Sequence, residues 1–189
     1  MSSDSALTYY LYLKQRSLFG QIYRQFYLYP FLTRYLRGKI IDIGCGIGDF
    51  LKYHKNAVGV DPNPYVVDHC RKSGLNASQI LDSKLDFPDS TFDGAILDNV
   101  LEHVEQPGGL LNEIHRVLRP GSPLVVGVPG KMGFQADPDH KRFYDETSLM
   151  ATLNQHGFDT TNILHMPFKC SWLDEHARQY CLYGVFTKA

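Results

Sequence analysis

Gly44, Gly46 and Gly48 stand on alternate positions directly after "KIIDI", a run of β-forming residues that carries Asp42. Glycine permits a tight turn and a close approach of backbone to a ligand, so three of them in one loop point to a bound molecule. Two further acids end later apolar runs, Asp61 in "VGVD" and Asp82 in "ILDS". The first can accept two hydrogen bonds from a ribose diol, and the second lies within reach of an adenine edge. Glycines and acids in this order describe a site for an adenosine-bearing ligand. The spacing G-x-G-x-G departs from the G-x-G-x-x-G of dinucleotide sites, and no Gly-Lys-Ser/Thr follows as in a P-loop, so the ligand need not carry phosphate. Further along, His103 in "LEHV" and His140 in "ADPDHKRFY" offer imidazoles whose ordinary pKa, near neutrality, suits proton transfer.

Elements must hold these residues in place. From Ile40 onward short apolar runs alternate with amphipathic stretches. "KIIDIG", "NAVGVD", "SQILDS", "FDGAILD" and "PLVVGVPG" read as strands with helices between several of them, which implies crossover units and a parallel sheet. In such sheets ligands bind beyond the carboxyl ends of the strands, where the glycines and acids fall. Leu110, Leu111, Ile114, Val117 and Leu118 mark one face of a helix stopped by Pro120 and Gly121. Another helix runs from about Asp145, which can cap it, to Gly157. The last segments, "FDTTNILHM" and "QYCLYGVFT", predict an antiparallel hairpin with a short connection. Ahead of the sheet, Phe19, Ile22, Tyr23 and Phe26 fall at i, i+3, i+4 and i+7, predicting a helix whose aromatic face needs cover. Pro30 separates it from a second short helix through Tyr35 and Leu36. Residues 1–38 thus form a helical cap and residues 39–189 the core of a single domain.

The 189 residues suffice for one domain, and 43% hydrophobic with 21% charged residues argues against disorder. A formal net charge of -1 hides an asymmetry: residues 1–39 carry Lys14, Arg16, Arg24, Arg34, Arg37 and Lys39 against Asp4 alone. That basic start allows a phosphate-bearing acceptor or a weak contact with a membrane surface. The rest lacks the excess expected of a nucleic-acid binder. Cys45, Cys70, Cys170 and Cys181 form no C-x-x-C pair, so neither zinc nor a disulfide framework is expected and a reducing cytoplasm fits. No apolar stretch approaches the length of a membrane span.

"IIDIGCGIGDF", "VGVDPN", "LDFPDSTFDGAILDNVLEHV" and "LLNEIHRVLRPGSPLVVGVP" resemble, in unbroken order over roughly residues 38 to 130, the motifs of class I S-adenosylmethionine-dependent methyltransferases of the small type 11 group. The resemblance implies a Rossmann-like α/β fold. Its seven-stranded sheet is mostly parallel with the last strand antiparallel, and helices lie on both faces. S-adenosyl-L-methionine is the cofactor implied. Carried over, Asp42 and the loop of Gly44, Cys45, Gly46 and Gly48 surround its methionine portion. Asp61, with Pro62 beside it, holds the ribose; Asp82 and Ser83 border the adenine; Leu97 and Asp98 face the sulfonium end. The stretch between Asp82 and Phe87 is a residue shorter than the pattern, and Asp86 stands where proline is common.

Methyl transfer is an in-line displacement that needs positioning and, for a hydroxyl acceptor, a base. His103 is the first candidate base and His140 the second. Ubiquinone-pathway O-methyltransferases and small-RNA methyltransferases carry a metal-binding E-x-x-E-H that resembles "NVLEH", but Asn99 replaces the first acid, and no metal is expected. The acceptor pocket is predicted between the cap (Tyr23, Arg24, Phe26, Tyr27) and "HKRFY" (Lys141, Arg142, Phe143, Tyr144). Tyr23, Arg24, Tyr27, Arg142 and Tyr144 are expected to touch a small-molecule, glycan or lipid-linked acceptor methylated at oxygen. The alternatives are a non-catalytic module that binds the same cofactor and a binder of another adenosine-bearing nucleotide.

Overall fold

The computed structural model describes residues 3–15, 17–81 and 84–189. Its centre is a seven-stranded sheet in the order β3-β2-β1-β4-β5-β7-β6, with β1 Ile40–Ile43, β2 Ala57–Asp61, β3 Ala77–Gln79, β4 Gly94–Asp98, β5 Pro123–Pro129, β6 Phe158–Met166 and β7 Cys181–Lys188. β7 runs antiparallel to both neighbours, and the other pairings are parallel. The central strands are buried along their length, as strands covered on both faces must be. This is the expected Rossmann-like sheet.

Helices α4 (Asp49–Tyr53), α5 (Pro64–Lys72), α6 (Gly108–Val117), α7 (Lys131–Gln135), α8 (Glu146–Gln155) and α9 (Ser171–His176) follow strands. One core packs Leu110, Leu111 and Ile114 of α6 and Leu149 and Leu153 of α8 against Ile41, Ala95 and Leu124. The other packs Phe50, Leu51, Val67 and Cys70 against Ile40, Ile96 and Val125. Asp145 caps α8 by accepting from the Ser148 N–H at 2.7 Å, as its position predicts. The connection from β6 to β7 spans residues 167–180 and includes α9, so it is longer than the short link expected.

The N-terminal region departs further from expectation. Helix α1 (Ser3–Lys14) precedes α2 (Leu18–Tyr23), a π-helical turn at Arg24–Leu28 and α3 (Tyr29–Leu32). Pro30 does not break the chain there. It sits in the first turn of α3, where its missing N–H costs nothing. Leu28, Tyr29, Leu32 and Leu36 join the second core. Of the face expected to be covered, Phe19, Ile22 and Phe26 are 83%, 46% and 76% exposed, and only Tyr23 packs against the second core. Leu13 of α1 packs instead on Ile47 and Val66, next to the glycine loop.

Candidate active site

A cavity of about 490 Å³ lies at the carboxyl ends of β1 and β4. Asp42, Gly44, Cys45 and Gly46 line one end, Asp98 and Asn99 the middle, and Glu102, His103 and His140 the other end. Tyr9, Tyr12 and Leu13 of α1 and Gly20, Tyr23 and Arg24 of the cap complete the wall.

The loop end is built by backbone. Gly44 and Gly46 have φ of 72° and 50°, the left-handed region that side chains avoid. A Cβ on Gly44 would collide with Val100, whereas one on Gly46 would meet Leu13 Cδ1 only at 3.6 Å. Asp61 is buried and does not line the cavity; its oxygens accept from the backbone N–H groups of Gly46 (3.0 Å) and Asn63 (2.8 Å). It therefore fixes the loop from behind. Burial raises its pKa, and those two donors oppose the rise. Asn63 in turn donates to the Ala6 carbonyl at 2.8 Å, tying α1 over this end. Burial, with Asp98 and Asp61 nearby, holds the Asp42 carboxyl well above the usual carboxylate range. An arriving cation would relieve that.

Asp98 ends β4 and accepts from Arg24 Nη1 (2.5 Å), the Tyr183 hydroxyl (2.6 Å) and Asn99 Nδ2 (2.9 Å). The ion pair joins cap to sheet, and Asp98 raises the pKa of Arg24 well above its ordinary value. Arg24, expected to touch the acceptor, thus stands beside the residue expected to face the cofactor.

At the far end Glu102 lies in a 3₁₀ turn, Leu101–His103, with 1% of its surface exposed. Neither carboxyl oxygen has a hydrogen-bond partner among the described residues, and His140 Nε2 stands 3.8 Å from Oε1. Burial pushes its pKa up to about 8. His140 Nδ1 donates to the Phe134 carbonyl at 2.8 Å, which turns Nε2 towards Glu102. The His103 ring lies 4.6 Å from the His140 ring, and burial followed by His140 lowers the pKa of His103. Donor atoms of Glu102, His103 and His140 all fall within 4.8 Å of one another. That is a donor set for a divalent ion.

Several of the expected residues do not line the cavity. Leu97 is sealed in the core, Gly48 packs against Leu75 and Cys70, and Pro62 does not line the cavity. Asp82 and Ser83 lie outside the described residues. Tyr144 is a core residue with a buried, unpartnered hydroxyl, and Arg142 stacks on its ring at 5.2 Å without reaching the cavity. The pocket side of that loop is made instead by Gly133, Ala136, Asp137 and His140. Tyr27 donates its hydroxyl to the Pro167 carbonyl at 2.9 Å, and only Tyr23 and Arg24 of the cap residues named reach the cavity. The E-x-x-E-H resemblance took in Glu102 and His103 but not His140, and the helical cap expected over residues 1–38 named no residue of α1 as lining the cavity.

Residues 41–126 match the family model described as a methyltransferase domain, type 11. The ubiquinone biosynthesis O-methyltransferase of Methylocella silvestris is 27% identical over 168 residues, 73% of this chain and 66% of that one. The 24-methylenesterol C-methyltransferase 2 of Arabidopsis thaliana is 34% identical over 100 residues, 46% of this chain and 28% of that one. Among curated relatives such as these the chain spans between 28% and 66% of their length. A solved S-adenosylmethionine-dependent methyltransferase from Archaeoglobus fulgidus superposes with a TM-score of 0.69 at 19% identity, covering 91% of this chain and all of that one. At that identity the likeness speaks for the fold.

Proposed function

Because the chain belongs to the type 11 group of class I S-adenosylmethionine-dependent methyltransferases, a membership that implies S-adenosyl-L-methionine as cofactor, we propose that it methylates an oxygen of an acceptor with an apolar body. The acceptor is a small molecule, a glycan or a lipid-linked intermediate. The observation that carries the proposal is the continuity of one cavity from Asp42 and the glycine loop to His103 and His140. Relatives named for a sterol and for ubiquinone biosynthesis support the apolar body.

When bound, the cofactor supplies a methyl carbon activated by positively charged sulfur. Asp42 and Asp98 give that charge an acidic wall, Gly44 and Gly46 let the backbone close around the ligand, and Asp61 holds the loop in shape. The cap excludes water from the interval between the two ends. His103, neutral because burial lowers its pKa, takes the proton of the acceptor hydroxyl. His140 and Glu102 stand behind it.

The orphaned carboxylate of Glu102 favours a second reading of the same corner. Glu102, His103 and His140 fit a divalent ion, which would lower the pKa of an acceptor hydroxyl directly. Asn99 occupies the place of the first acid in the related motif, and its amide oxygen faces Cys181 Sγ at 3.8 Å.

Calorimetry with S-adenosylhomocysteine, NAD and ATP tests the ligand, and tight binding of either nucleotide with none of the first would overturn the reading. Transfer of label from S-adenosylmethionine across hydroxyl-bearing lipids, glycans and aromatic acids tests the reaction. With a base, the rate rises with pH through a limb below 6.5, and His103→Asn lowers it on the order of 100-fold. With a metal, chelation abolishes transfer and Mn²⁺ binds in calorimetry. No transfer to any acceptor in spite of tight S-adenosylhomocysteine binding would leave a non-catalytic module.

A further inference from the structure

The cap has two unlike sides. Gly20, Tyr23 and Arg24 face the cavity. Leu18, Phe19, Ile22 and Phe26 face outward, and α2 has no buried residue. The outward side chains of α2 gain little from folding against their own protein, and an apolar patch left this open marks a surface used by something else.

Three of the outward residues, Leu18, Ile22 and Phe26, line a second groove of about 250 Å³ that ends at Lys52, itself paired with Asp49 at 3.5 Å. Lys14, at the end of α1, is exposed just before this stripe begins. Of the other basic residues up to 39, Arg24 is taken by Asp98, Arg34 stacks on the Phe31 ring, and Lys39 stands at the amino end of β1 over the Phe92 ring, so Lys14 and Lys52 are the lysines beside the stripe. Across the cavity mouth Phe168 and Trp172 are exposed as well, and the bond from Tyr27 to the Pro167 carbonyl fastens this second rim to the first.

Large apolar and aromatic side chains bordered by lysines are the chemistry of a bilayer interface, where rings enter the acyl boundary and ammonium groups meet anionic headgroups. We propose that the outer face of the cap docks on an anionic lipid bilayer, so that the cavity mouth opens at the membrane surface. This goes beyond the transfer chemistry and stands or falls without it.

Sedimentation of the whole protein with vesicles tests the docking, using phosphatidylcholine alone and phosphatidylcholine with roughly one part in four of phosphatidylglycerol. Binding to the anionic vesicles is expected, weaker binding to the neutral ones, and a loss of about tenfold or more in the double variant Phe19→Ser, Phe26→Ser. Both side chains lie outside the cavity, so S-adenosylhomocysteine affinity should stay as in the wild type and report an intact fold. Three outcomes would overturn the proposal: no sedimentation with anionic vesicles, equal sedimentation of the double variant, or a dimer in light scattering that the double variant abolishes, which would give the face to a second copy. A protein that binds vesicles but not S-adenosylhomocysteine would sink the methyltransferase reading and leave this one standing.

Discussion

The two ends of the cavity treat polar atoms in opposite ways. Behind the glycine loop and in the middle of the cavity the acids have donors: Asp61 takes two backbone N–H groups and Asp98 takes three side-chain donors. At the histidine end Glu102 keeps both oxygens buried without a hydrogen-bond partner among the described residues. A buried polar group left unpaired costs about 1–3 kcal/mol, so such a corner persists where a ligand, proton or ion completes it. One end is finished by the protein, and the other is finished by what enters it.

Substitutions can break this contrast or sharpen it. The largest effect belongs to Gly44→Val, where positive φ and the collision with Val100 act together. S-adenosylhomocysteine affinity should fall by ~100-fold or more while circular dichroism keeps the sheet. A folded variant that binds normally would show that the loop tolerates movement. Asp61→Ala removes the acceptor of two buried N–H groups and should weaken the same ligand by about 1.5–3 kcal/mol in calorimetry. Unchanged affinity would mean that the loop holds its shape unaided.

Glu102 probes the unfinished end through pH. Its folded pKa of about 8 lies above the ordinary 4.5, so the folded state holds the proton more tightly than the unfolded one. Stability from this group is complete below about 4.5 and is lost as pH rises towards about 8. Glu102→Gln should remove that slope in thermal melts and gain on the order of 1–3 kcal/mol near pH 8. Parallel slopes in both proteins would mean that Glu102 has a hidden partner. Tyr144→Phe should have the smallest effect, within about 1 kcal/mol of wild type in denaturant unfolding, because its hydroxyl has no hydrogen-bond partner among the described residues. A larger loss would show that the hydroxyl is satisfied.

The finished end was also the legible one. Its glycines follow β1 within a few residues, so local spacing encodes the loop, and "FDTTNILHM" coincides with β6 because alternation along a strand is a local signal. Asp145 announced α8 for the same reason. The histidine end depends on contacts that the chain makes over long separations. Nothing near Glu102 says that the Lys141 and Arg142 N–H groups will reach its carbonyl and bring His140 alongside. Tyr144 looked like a pocket wall because an aromatic beside arginine is common to pockets and cores, and only packing distinguishes them. The cap misled differently. Helical spacing of Phe19, Ile22 and Phe26 was read as a buried face, but periodicity reports that a stripe exists without reporting what covers it.

Helix α1 lies over the loop end, with Leu13 wedged against Ile47 and Val66 and the Ala6 carbonyl bound to Asn63. A molecule seated on that loop would have α1 across it. On the proposed methyl transfer, release of the spent donor would then wait on the lifting of a single helix, long after the methyl group has moved on. Rapid mixing would show this as a burst of one product equivalent ahead of a slower steady rate, and shaving Leu13 to Ala would speed the steady phase while leaving the burst as it was.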